Sequence, residues 1–83
     1  MKEILNEKNL IRLSDIALCS ALCACGYNIE KIQKQSSGKA IFLIRKDEKL
    51  DDLIKKFFNH KLKVDALSYF NFLKEIKTRI YTI

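Results

Sequence analysis

Gln35-Ser36-Ser37-Gly38-Lys39-Ala40-Ile41-Phe42-Leu43-Ile44 is the stretch from which the fold can be read. Its polar first half, with a glycine, makes a turn; its second half is an unbroken apolar run. A run that short, bounded by turn residues and rich in branched and aromatic side chains, reads as a strand with both faces covered. Just upstream, Tyr27 to Lys34 carries Ile29 and Ile32 among charged residues in an imperfect alternation. That pattern fits a more exposed edge strand. The two segments make an antiparallel β-hairpin with a loop of about three to five residues.

Working toward the N-terminus, Gly26 is the residue type that closes a helix in the left-handed conformation. The helix it closes begins after Ser14, read as its N-cap, with Asp15 near the positive end of the dipole. Its residues are apolar almost all round, so it should be buried. Ala17, Ala21 and Ala24 give it a narrow side suited to close packing. Leu10-Ile11-Arg12-Leu13 could be a short extended lead-in. Beyond the hairpin, Asp47 is read as the cap of a second helix with a buried stripe of Leu50, Leu53, Ile54, Phe57 and Phe58. Asn59, His60 and Lys61 end it. Asp65 caps a third helix, to about Tyr81, whose apolar face is Tyr69, Phe72, Leu73, Ile76 and Ile80. The expectation is an α+β domain of order α-β-β-α-α over residues 10–83, to which residues 10–13 could add a short strand, with an N-terminal arm at 1–9.

The chain has 83 residues, a net charge of +6, 48% hydrophobic residues and no proline, which excludes a disordered chain and leaves room for one domain. The longest apolar run, Ile16 to Cys25 broken by Ser20, is well short of the ~20 residues of a membrane span. With no signal peptide apparent, the expectation is a small, basic, soluble domain of the cytoplasm without membrane contact. A core this small supplies about 3–5 kcal/mol, so such domains commonly need a staple or a second subunit. A homodimer is therefore expected.

Residues that could carry chemistry have plainer readings. Cys19, Cys23 and Cys25 are an odd, clustered set with no second ligand pair for zinc and no Cys-x-x-Cys spacing, and they read as core packing. His60, the one histidine, sits in a polar link remote from any activated nucleophile. Asp51 and Asp52 precede Lys55 and Lys56 by four positions, the spacing of helical ion pairs. Ser36-Ser37-Gly38-Lys39 lacks the upstream glycine and strand-to-helix context of a phosphate loop, and is a hairpin turn. No catalytic, metal or cofactor site is expected, and the chain reads as a non-enzyme.

Binding is the remaining class. The basic excess is local: Lys31, Lys34, Lys39, Arg45 and Lys46 on the hairpin, then Lys55, Lys56, Lys61 and Lys63. Lys31, Lys34, Lys39, Arg45, Lys55 and Lys56 are candidates for contacting phosphates. Against this, thirteen of the sixteen basic residues are lysine, whereas base readout draws more on arginine. On the third helix, Phe70, Lys74, Lys77 and Tyr81 share a line beside the apolar face, which suits recognition of a partner. The plainer reading is that Phe70 and Tyr81 widen the core face. Ile41 and Leu43 join the partner-binding candidates, because a two-stranded sheet leaves one face of that apolar strand uncovered.

Several stretches together resemble a known family: Ser14-Asp15-Ile16-Ala17-Leu18 opening an alanine-rich helix to Gly26-Tyr27, Phe42-Leu43-Ile44, Phe58-Asn59, Val64-Asp65-Ala66, and Leu73-Lys74-Glu75-Ile76-Lys77-Thr78-Arg79-Ile80-Tyr81. They are similar to an uncharacterised small domain family, a domain of unknown function, found in phages, bacteria and archaea. The resemblance covers residues 10–82 and brings no catalytic residues with it. The cysteines depart from its pattern, where alanine and leucine are expected. It implies a stand-alone domain and a phage or mobile-element setting. The leading expectation is a non-enzymatic protein that occupies a surface of a host protein or complex, such as a defence system, by steric or allosteric blocking. A phosphate-contacting nucleic-acid module is the alternative, and an oligomer sequestering an anionic nucleotide is a remoter one.

Overall fold

The computed structural model describes residues 9–82. In chain order they form β1 (Leu10–Leu13), α1 (Ile16–Ala24), β2 (Ile29–Lys34), β3 (Ala40–Arg45), α2 (Leu50–Phe58) and α3 (Ala66–Thr82). The result is a small α+β fold. The apolar run is β3, and it is the middle strand of a three-stranded antiparallel sheet in the order β1-β3-β2. Its hairpin with β2 is as expected, with residues 35–39 as the loop. The extended lead-in is the third strand, pairing Leu10 with Arg45 through Leu13 with Phe42. The pairing continues into Asn9, whose carbonyl accepts from the Lys46 amide at 2.7 Å. The expected arm at 1–9 otherwise lies outside the described residues.

Register assigns the faces. Residues directly opposite in an antiparallel pair share a side. Ile11, Ile29 and Ile44 therefore stand together, as do Leu13, Ile32 and Phe42. Ile29 and Ile32 are three apart, which strict alternation would place on opposite faces. A bulge between Ile29 and Lys31 restores them to one face. The imperfect alternation of this strand is thus a bulge, and β2 is an edge strand as expected. Phe42 and Ile44 join Leu18, Cys19, Leu22 and Cys23 of α1, Leu50 of α2 and Ile76 of α3 in one buried cluster.

The other side of β3 corrects an expectation. Leu43 is only 5% exposed, between Arg12 of β1 and Lys31 of β2, and Ile41 is half-buried. The open apolar face expected of a two-stranded sheet is not there, because β1 supplies the missing neighbour. Leu43 is consequently not available to a partner.

Helix ends follow local chemistry. Asp15, not Ser14, is the N-cap of α1: its carboxylate accepts from the Leu18 amide at 3.0 Å. Asp47 lies further out than a cap, since Lys49 is the N-cap residue of α2 and Asp47 accepts from its amide. Asp65 caps α3 as expected, accepting from Ser68 at 2.9 Å. Both α1 and α2 close with the same pair of bonds. Gly26 and Tyr27 donate back to Cys23 and Leu22, and His60 and Lys61 to Phe57 and Lys56. The motif requires a left-handed residue, supplied by Gly26 at φ 106° and by His60 at φ 60°.

Two residues expected inside are outside. Cys25 is the exposed C-cap of α1, whereas Cys19 and Cys23 are buried and free. Phe58 is 57% exposed, because at about 100° per residue it falls roughly 90° round from the centre of the α2 stripe. It makes an edge-to-face contact with Phe57 at 5.1 Å. The cap assignment is testable by urea unfolding. Asp15→Ala should cost about 1 kcal/mol, and Ser14→Ala should stay within about 0.5 kcal/mol.

Candidate interaction surface

α3 has two different long sides. Its 17 residues span about 25 Å, and Ile76 anchors the inner side at 1% exposure, with Phe72 and Ile80 packed against the same cluster. The outer side carries Leu67, Phe70, Lys74, Lys77 and Tyr81. Leu67 is 68% exposed, Phe70 52% and Tyr81 86%. The reading in which Phe70 and Tyr81 widen the core face is therefore overturned. Their line is rotated roughly 120° from the core-facing one, taking about 100° per residue. Among the described residues, three of the four large exposed hydrophobics lie on this line; Phe58 is the fourth.

Spacing makes the line a seam. Leu67, Phe70, Lys74, Lys77 and Tyr81 follow one another by three and four residues in alternation. That is the spacing at which one helix meets another along its length. Leu67 was not singled out from the sequence, although stepping back three positions from Phe70 reaches it. Lys74 already leans on the seam, its Nζ 4.9 Å from the centre of the Phe70 ring. At an exposed site this cation–π contact is worth about 0.5–1 kcal/mol, enough to orient both groups.

The phosphate candidates do not gather in one place. Lys34 ends β2 and Lys39 is the last residue of the hairpin loop, and Lys31 stands beside Leu43 on the outer side of the sheet. Arg45 is at the opposite end of β3 from the loop, about 20 Å away by strand rise. Its Nε lies 3.8 Å from Glu30. Lys55 and Lys56 are on α2, where Lys56 pairs with Asp52 at 3.3 Å. The companion pair of Asp51 with Lys55 is not among the ion pairs of the described residues.

An open cleft of about 420 Å³ lies where α1 ends and α2 begins, and Tyr27, Glu30, Arg45, Lys46, Asp47 and Lys49 line it. Its cations are interleaved with carboxylates, an arrangement that does not favour an anion such as a nucleotide. The Tyr27 hydroxyl donates to Asp47 at 2.6 Å. That bond holds the Asp47 carboxyl below the usual carboxylate range, helped by the Lys49 and Leu50 amides, and pushes Tyr27 up to about 12. The pairing of Cys19 with Cys23, one turn apart, draws Cys23 down and, with burial, pushes the Cys19 thiol far up. Such a thiol is a packing group, not a nucleophile. Among the described residues no three His, Cys, Asp or Glu side chains come together to hold a metal ion. No helix formed by the described residues is long and apolar enough to cross a membrane.

Fold and surface together define a small α+β domain with one helix presenting an unpartnered seam. The chain belongs to the family described as Domain of unknown function (DUF5659), whose model matches residues 8–82. No curated protein and no solved structure matches it.

The Tyr27–Asp47 bond has a definite pH signature. A carboxylate whose pKa is lower folded than unfolded stabilises the fold above its unfolded pKa, and that contribution is lost as pH falls through the folded value. For Tyr27 the sign reverses: a raised pKa stabilises below the ordinary tyrosine value and fades as pH climbs toward about 12. Urea midpoints measured from neutral to acidic pH should therefore fall less steeply in Asp47→Asn than in the unaltered chain. Parallel curves would show that the bond does not contribute.

Proposed function

We propose that this chain is a non-enzymatic binding protein that recognises another protein through the outer seam of α3. The observation that carries this reading is the exposure of Leu67, Phe70 and Tyr81 along one line of a helix whose other side is anchored by Ile76. Exposed aromatic residues in a row lose favourable burial unless a partner covers them, and aromatics are enriched where proteins bind one another. In a phage or mobile-element setting the surface covered would belong to a host protein or complex, including a defence system. Its blocking would be steric or allosteric, since a chain of net charge +6 cannot imitate the charge of DNA.

The nucleic-acid alternative has less support. Its lysines are spread over β2, the hairpin loop and α2, whereas the exposed Phe70 and Tyr81 are on α3. The homodimer expectation rests on the small size of the core and is a separate question from the seam of α3.

Affinity capture from host lysate, with and without nuclease, tests the reading. The intact chain should retain a defined protein set that survives nuclease. Phe70→Ala/Tyr81→Ala should lose that set while keeping its fold, because both residues are exposed. Retention of the same proteins by this double variant would overturn the reading. So would loss of capture on nuclease treatment combined with loss on charge reversal at Lys34 and Lys39.

A further inference from the structure

We infer that the partner presents an amphipathic helix that is acidic at the middle of its contact stripe and apolar at both ends. This rests on the α3 reading above and adds the chemistry of the occupant. The order of residues along the seam is the argument: Leu67 and Phe70 at one end, Lys74 and Lys77 in the middle, Tyr81 at the other. A helix lying along this spacing buries each of these positions in turn. Burying apolar ends is favourable, but burying two lysines is costly unless each meets an opposite charge. Glu75 cannot supply that charge. It is one position along from Lys74, about 100° round the helix and off the seam. The flanking Asn71 and Thr78 are neutral. The acid has to come from the partner, and its placement fixes the register of docking.

A second copy of this chain does not meet the requirement. Parallel pairing sets Lys74 against Lys74 and Lys77 against Lys77. Antiparallel pairing about the middle of the seam sets Lys74 against Lys74 or against Lys77. Either way, like charges meet at the centre of the interface, where the cost is greatest. A phosphate backbone satisfies the lysines but not Leu67, which offers no ring on which a base could stack. An acidic helix is the occupant that satisfies all five positions.

The test uses the full chain as bait for a display library of helical peptides of about 21 residues, three heptads, randomised at the seam-facing positions. Selected peptides should carry Asp or Glu at the central positions and apolar residues at the outer ones. With Lys74→Glu/Lys77→Glu as bait, the central preference should switch to Lys or Arg. An isolated acidic winner should bind the reversed chain at least about tenfold more weakly, a change of about 1.4 kcal/mol. No enrichment, enrichment without acidic preference, or a preference unmoved by the reversal overturns the inference. Light scattering that shows a dimer abolished by Phe70→Ala/Tyr81→Ala overturns it in favour of a second copy. Salt-sensitive binding of a single-stranded oligonucleotide that the same variant abolishes overturns it in favour of nucleic acid. The parent reading stands or falls separately, on whether that variant still captures the host proteins.

Discussion

The packing of Phe42 and Ile44 against Leu18 and Leu22 is the contact on which the rest of the molecule depends. β3 can bury both of its faces only because β1 and β2 flank it, and the bulge at Ile29–Lys31 is what turns Ile29 toward the same cluster. α1 shares a buried cluster with this strand and is buried along most of its length. Its one polar core residue, Ser20, is accommodated by donating its hydroxyl to the Ile16 carbonyl at 2.8 Å. With α1 committed on so many sides, α3 can lend the core only one of its own. Ile76 reaches in, and the seam of Leu67, Phe70 and Tyr81 is left facing outward.

That division explains why the surface, and not a pocket, carries the functional reading. Cys19 and Cys23 are free and buried in the core cluster, where they pack as small apolar side chains. In the cleft where α1 ends and α2 begins, the Tyr27 hydroxyl and the Asp47 carboxylate are bonded to one another. The seam differs because its large side chains are exposed, regularly spaced and interrupted by positive charge. In the proposed interface its apolar ends would supply contact area and its lysines discrimination, a division of labour common at specific interfaces.

Much of the fold was legible in the chain because its signals are local. The turn at Gln35–Lys39, the apolar run after it, the Gly26 stop and the Asp65 cap each act within a few residues. The third strand was less legible, since Leu10–Leu13 becomes a strand only by pairing with Phe42–Arg45, about thirty residues away. The same long-range pairing buried Leu43 and removed it from the candidate surface. Asp15 displaced Ser14 as the cap because the two stand side by side, and helix-end signals separate neighbours poorly. Phe70, Lys74, Lys77 and Tyr81 were visible as a line, but only their exposure distinguished a free surface from a wider core. Leu67 completed the line once that exposure was known.

The central claim is that the outer seam of α3 is spare: it contributes nothing substantial to the fold and is therefore free for a partner. Thermal unfolding of Leu67→Gln/Phe70→Gln/Tyr81→Gln tests this most directly. A spare seam predicts one cooperative transition with a midpoint within about 5 °C of the unaltered chain, as exposed substitutions each move stability little. A midpoint lowered by more than about 10 °C, or the loss of a cooperative transition, would contradict the account, because the seam would then belong to the core.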